Sequence, residues 1–158
     1  MLHAETVLDS TLDLLKDLQS IPELGDLRLV GGTALALQIG HRTSVDLDLF
    51  GSFDDSLSFK QIISDRGHRV EGDIEGVVQS LKIDGVKVDL VNYKYPWIAP
   101  SLECQGLRLA SIDDIMPVKL TYFDDAEDDP EPKMFVDLSW SMVKDRIRNA
   151  VRDFVIEV

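Results

Sequence analysis

The stretch Leu29 to Phe50, LVGGTALALQIGHRTSVDLDLF, places two adjacent glycines upstream of an Asp-x-Asp in an otherwise apolar segment. Read outward from the glycines, "LRLV" (27–30) has the composition of a short strand, and "TALALQI" (33–39) is rich in good helix formers. Gly40 is placed to end that helix. "VDLDLF" (45–50) then alternates with period two, the mark of a half-buried strand. On that reading Val45, Leu47 and Leu49 enter the core, and Asp46 and Asp48 share the opposite face.

Two carboxylates on one side of a short strand repel each other unless something positive lies between them. A hard cation such as Mg²⁺ takes oxygen ligands of this kind. A pair of such ions about 3.5–4 Å apart can activate an attacking oxygen and stabilise a leaving phosphate oxygen. The glycines point the same way. A strand, Gly31-Gly32 and a helix starting near Thr33 would expose backbone N–H groups at a positive helix end, with no Cβ to obstruct a phosphate and a Thr33 hydroxyl as an added donor. Taken singly, each feature is equally a solvated strand face and an ordinary strand-to-helix turn. Joined by one helix, with twelve residues between Thr33 and Asp46, they form the two halves of a nucleoside triphosphate site. A third carboxylate, Asp89 in "VKVDLV", lies beside Asp46 and Asp48 if its strand neighbours theirs.

The remainder of the chain is consistent with one domain. Its 158 residues are 44% hydrophobic and 28% charged, enough for an ordinary core. Leu8, Leu12, Leu15 and Leu18 give residues 5–19 a helical stripe, broken by Pro22 and Gly25. "SLSFKQIISDRG" (56–67) reads as a helix ended by Gly67, and "VVQSLKIDGVKVDLVNY" as two strands joined at Asp84-Gly85. "YPWIAPS" is a proline-broken loop, and Ser111 with Asp114 resembles a capping box opening a helix over 111–123. Pro132 lies near the start of a last helix. The fold class is α+β, a small mixed sheet flanked by helices, with a sheet-containing core over about 1–98 and a C-terminal helical part over about 107–158.

Composition limits the partners. The net charge of −13 counts against broad attraction to nucleic acid, although two divalent cations would return about four positive charges to the site. One cysteine, Cys104, allows neither an internal disulfide nor a cysteine metal cluster, and His3, His41 and His68 lack zinc-ligand spacing. The N-terminus is acidic and amphipathic, unlike a secretory signal, and no uncharged run is long enough to span a membrane. Cytoplasmic residence is the expectation.

The glycine pair with Thr, the dozen residues, the Asp-x-Asp and the later strand Asp together resemble the signature of the DNA polymerase β-like nucleotidyltransferase superfamily. The string "GGTALALQIGHRTSVDLDLF", continued by "GVKVDLVNYKYP", "LASIDDIMPVKL" and "KMFVDLSW", is similar to the AbiEii/AbiGii-type toxin family within it. The resemblance covers roughly residues 27–140. It implies a nucleotidyltransferase fold, an NTP, two Mg²⁺ ions (with Mn²⁺ as a substitute), an RNA, tRNA or protein acceptor, and a cognate antitoxin. By position it implies metal binding by Asp46, Asp48 and Asp89, with Asp89 as the proton acceptor, and phosphate binding by Gly31, Gly32 and Thr33. Lys119, Lys133 and Asp137 would lie against the nucleotide, and His41, Arg42 and Ser44 are additional candidates. Met134 stands where the family has an aspartate, and Pro117 precedes Lys119 by two residues. These departures keep a non-catalytic nucleotide- or partner-binding module of the same fold in view, and the acidic surface keeps in view a transferase acting on a small, basic, aminoglycoside-like acceptor.

Overall fold

The computed structural model describes residues 1–54, 58–72 and 78–115. Three helices and seven strands are seen among them: α1 (Asp9–Ser20), β1 (Arg28–Val30), α2 (Gly31–Ile39), β2 (Leu47–Gly51), α3 (Phe59–Asp65), β3 (Val70–Glu71), β4 (Val78–Ile83), β5 (Val86–Asn92), β6 (Leu102–Cys104) and β7 (Leu107–Leu109). The strands form one mixed sheet in the order β3-β4-β5-β2-β1-β7-β6. β2 runs parallel to β5, and β1 parallel to β7; the other neighbours are antiparallel. An α+β fold with a small mixed sheet is therefore what the chain adopts.

The core follows from periodicity. Leu12, Leu15 and Leu18 of α1 are buried together with Leu29 of β1, Leu47 and Leu49 of β2, and Val88 and Leu90 of β5. α2 is buried from Gly31 through Leu37, so it carries almost no amphipathic signature. It stops at Gly40, whose φ of 63° is the left-handed conformation that glycine adopts without a Cβ penalty. At the β4–β5 turn, Asp84 and Gly85 both have positive φ (50° and 88°), as a type I′ hairpin requires.

Two apolar positions depart from the sequence reading. Leu8 lies just before α1 in extended conformation and is 65% exposed, so it does not join the stripe. Val45 is 60% exposed because β2 begins at Leu47, and alternation fixes a side chain's face only inside the ladder. The C-terminal helical part does not begin near 107. Leu107–Leu109 is β7, joined to β6 by a turn in which Gln105 and Gly106 both have positive φ. β6 and β7, three residues each, are too short to show a period, and no glycine pair follows either to mark it as a strand.

The helical turn beginning at Ile112 has the cap that Ser111 suggested. The Ser111 hydroxyl accepts from the Asp114 amide at 3.2 Å and donates to the Asp114 carboxylate at 2.8 Å. That carboxylate also accepts from the amides of Ile98 (2.7 Å) and Ala99 (3.2 Å), fastening the proline-broken loop to the helix start. Lys119, Lys133 and Asp137, with the helices expected around them, lie outside the described residues.

An ionic clasp ties α1 to the β4–β5 hairpin. His68 lies 2.6 Å from Asp84 and 2.8 Å from Asp17, and Arg66 donates to both oxygens of Asp17. The hydrogen bonds from Arg66 and His68 hold Asp17 down at about 2, and the two carboxylates, Asp84 foremost, push the His68 imidazole up from its ordinary 6.5. The two shifts bound a pH window. Asp17 contributes stability above its ordinary 3.8 that is lost as pH falls toward about 2. His68 contributes stability below 6.5 that is lost as pH rises through its higher folded value. Urea unfolding of wild type and His68→Gln across pH should show the wild-type advantage greatest between those limits and shrinking on both sides; a difference that does not vary with pH would refute the clasp.

Candidate active site

Register, rather than distance along the chain, assembles the carboxylates. In the ladder Asp48 of β2 is the direct partner of Asp89 of β5, and on its other side Asp48 pairs with Val30 of β1. Partners on neighbouring strands point to the same face, about 4.8 Å apart along the hydrogen-bond direction. Asp48 and Asp89 are half-buried, and Asp46 is exposed just ahead of β2. The structure thus brings Asp48 and Asp89 side by side, with Asp46 one step nearer solvent.

Two cations share that face. The Lys87 ammonium lies 3.3 Å from an Asp89 oxygen, and Asp89 together with Asp46 and Asp48 raises the ammonium above its ordinary value against the opposing effect of burial. The other Asp89 oxygen accepts from the Ser80 hydroxyl at 2.7 Å, which fixes the carboxylate's orientation. The Arg42 guanidinium is half-buried: burial pulls it below its ordinary value, while the charges of Asp46 and Asp48 act in the opposite sense. Arg42 donates to the Thr43 carbonyl at 2.8 Å, and its Nε is buried with no hydrogen-bond partner among the described residues.

The glycines are not the open cradle that their sequence suggested. A Cβ on Gly31 would stand 1.9 Å from the Asp48 carboxylate, and a Cβ on Gly32 would stand 1.9 Å from an Arg42 nitrogen. Each glycine is the seat of a charged side chain from the following segment. Gly31 also has φ +67°, so the tight turn and the close approach require glycine for separate reasons. Thr33 is buried rather than free: its hydroxyl donates to the Asp46 carbonyl and shares a 2.7 Å hydrogen bond with the Ser44 hydroxyl. Ser44 and Thr33 thereby fasten the segment that carries Asp46, and Ser44 is also held by its amide, which donates to the Thr6 carbonyl at 2.9 Å. His41 is buried beside them in sequence. α2 itself starts without a side-chain cap.

Ser80 and Lys87 were missed by the sequence reading. A hairpin centred on Asp84-Gly85 puts Ser80 opposite Asp89, which was a usable signal, and Lys87 lies two residues before Asp89 on the same strand face. Asp48 and Asp89, side by side with Asp46 just ahead of the strand, are oxygen donors of the type a hard divalent cation takes, and the neighbouring Lys87 and Arg42 charges offset the same repulsion. Among the described residues, however, no three acidic, His or Cys side chains form a ready metal cluster.

The family model for the nucleotidyl transferase AbiEii toxin of Type IV toxin–antitoxin systems matches residues 13–132, a span that includes Gly31 to Asp48, Ser80, Lys87 and Asp89. The chain belongs to the AbiEii family. No curated protein matches it. Among solved structures it is similar to the crystal structure of JHP933 from Helicobacter pylori, at 20% identity and a TM-score of 0.51 over 77% of this chain and 60% of that one. That likeness bears on the fold alone, and the chain spans three-fifths of the JHP933 length. In this AbiEii chain, no helix among the described residues is long and apolar enough to cross a membrane.

The glycine contacts set an order of cost. Gly31→Ala forces a Cβ into a carboxylate at an unfavourable φ and should destabilise by roughly 1–3 kcal/mol. Gly32→Ala meets only the tip of a flexible arginine and should cost less, with most of the loss recovered in Gly32→Ala/Arg42→Ala. Chemical denaturation of the three variants checks this ranking; a Gly32→Ala cost that persists without the arginine would contradict it.

Proposed function

We propose that this chain transfers a nucleoside monophosphate from an NTP to a hydroxyl acceptor, releasing pyrophosphate, as the toxin of a toxin–antitoxin pair. The observation that carries this reading is the in-register pairing of Asp48 with Asp89 beside the Gly31 turn. In the reaction the acceptor oxygen attacks the α-phosphorus, the bond from that phosphorus to the pyrophosphate oxygen breaks, and the acceptor proton passes to a carboxylate. Asp89 is the carboxylate assigned to receive it, and Ser80 and Lys87 orient its oxygens. Asp46, Asp48 and Asp89 would hold Mg²⁺, which when bound supplies charge neutralisation and acidifies the attacking hydroxyl. Arg42, at the uncapped start of α2 where Gly31, Gly32 and Thr33 lie, offers positive charge to the triphosphate. Lys119, Lys133 and Asp137 are proposed for the nucleotide on family position.

The acceptor is an RNA or a protein, and a cognate antitoxin is the further partner of this reading. The non-catalytic alternative draws on a specific observation, that Arg42 and Asp48 already cover the glycine faces. One experiment separates the two: pyrophosphate release from Mg²⁺-NTP in the presence of total RNA or cell protein. Wild type should turn over, and Asp48→Asn should lose at least about 10³-fold in rate with an unchanged circular dichroism spectrum. NTP binding without turnover by wild type would favour the alternative, and full turnover by folded Asp48→Asn would remove the carboxylate assignment.

A further inference from the structure

A cleft of about 640 Å³ has a lining that includes Leu8, Val45, Asp46, Ser80, Lys82 and Lys87. It abuts the carboxylate face directly: Asp46 is one wall, and Ser80 and Lys87 are the two groups that hold Asp89. Its volume is in the range of small-molecule sites. Two features distinguish it from an ordinary surface groove.

The first is a pair of lysines. Lys82 of β4 and Lys87 of β5 are direct cross-strand partners, and both are exposed. Like charges placed directly opposite destabilise a hairpin, and this chain has only 16 Lys and Arg against 29 Asp and Glu. Lys87 is partly answered by Asp89. Lys82 makes no ion pair among the described residues, although Glu71 is its ladder partner on the other side, because the Glu71 carboxylate lies 2.6 Å from Arg69. An exposed cation opposite a second cation, with no ion pair of its own among the described residues, is available to an anion from outside.

The second feature is apolar. Leu8 and Val45, the two residues whose hydrophobic pattern predicts burial and which are instead 65% and 60% exposed, both line this cleft. Apolar side chains held at the wall of a cleft, with charge at its edge, suit a ligand that has a flat apolar body and an anionic group.

We infer that this cleft binds a nucleotide unit on the acceptor side of the carboxylates, its base against Leu8 and Val45 and its phosphate on Lys82 and Lys87. The role as acceptor site rests on the proposed transfer. Binding itself does not, and is tested without NTP or metal. Such a unit has two sources, a free nucleotide or the end of a single strand, and two probes distinguish them: 5′-AMP, followed by calorimetry, and a short fluorescent oligoribonucleotide with a free 3′-hydroxyl, followed by anisotropy.

Wild type should bind at least one probe. Lys82→Gln should weaken that binding about tenfold and flatten its salt dependence by about one in log–log slope. Leu8→Asp, at an exposed position that leaves the core intact, should weaken it as well. Binding of both probes would assign the cleft to the nucleotide unit as such, and binding of the oligonucleotide alone to a strand end. Unchanged affinity and salt slope in Lys82→Gln would overturn the inference, as would wild type that binds neither probe or prefers a serine- or tyrosine-containing peptide. A protein that binds through Lys82 and yet turns over no NTP would retain the cleft and lose the transferase reading, so the two failures are separable.

Discussion

The carboxylate of Asp48 rests on the bare Cα of Gly31, and the architecture of the site depends on that contact. It needs two conditions at once, a residue with no Cβ and a turn with positive φ, and glycine alone meets both. Through it the β1–α2 turn and the β2 strand are locked in one relative position. The pairing of Asp48 with Val30 on one side and Asp89 on the other then places a carboxylate from β5 beside it. A shift of one residue in the β2–β5 ladder would turn Asp48 and Asp89 to opposite faces, so the burial of Leu47, Leu49, Val88 and Leu90 enforces their pairing.

Charge around this contact is balanced at short range. The chain is strongly acidic, yet Arg42 and Lys87 are both brought to the carboxylate face, one seated on Gly32 and one against Asp89. Lys87 is exposed and Arg42 half-buried, and neither belongs to a network of the kind that α1 makes through Asp17, Arg66 and His68. The contrast divides the molecule. One end is clasped by groups that answer each other fully, and the other holds cations and carboxylates in proximity without saturating them.

Asp46 shows how a loop residue is made precise. It precedes the ladder and gains no register from it, but its carbonyl accepts from Thr33 and its neighbour Ser44 bonds the same hydroxyl. Thr33 therefore works as a fastener under the site instead of a donor within it. The glycine pair changed roles in the same way. In sequence, glycines before a helix signal a phosphate approach; in the fold, their faces receive Asp48 and Arg42. The local pattern was legible and its occupant was not, because the side chains concerned come from the segment after the next turn.

By itself the sequence determined the α+β class, β1, α2 with its Gly40 stop, the Asp84-Gly85 hairpin, and the neighbouring strands that carry Asp48 and Asp89. Periodicity, turn chemistry and a family string of this length carry that information locally. Only the tertiary structure decided that Leu107–Leu109 is a strand, that Leu8 and Val45 stay exposed, that Ser80 and Lys87 hold Asp89, and that Lys82 and Lys87 line one cleft as cross-strand neighbours. Those are outcomes of ladder register and of where each strand begins. Such quantities are set by competition among distant segments for the same core, and no window of neighbouring residues contains them.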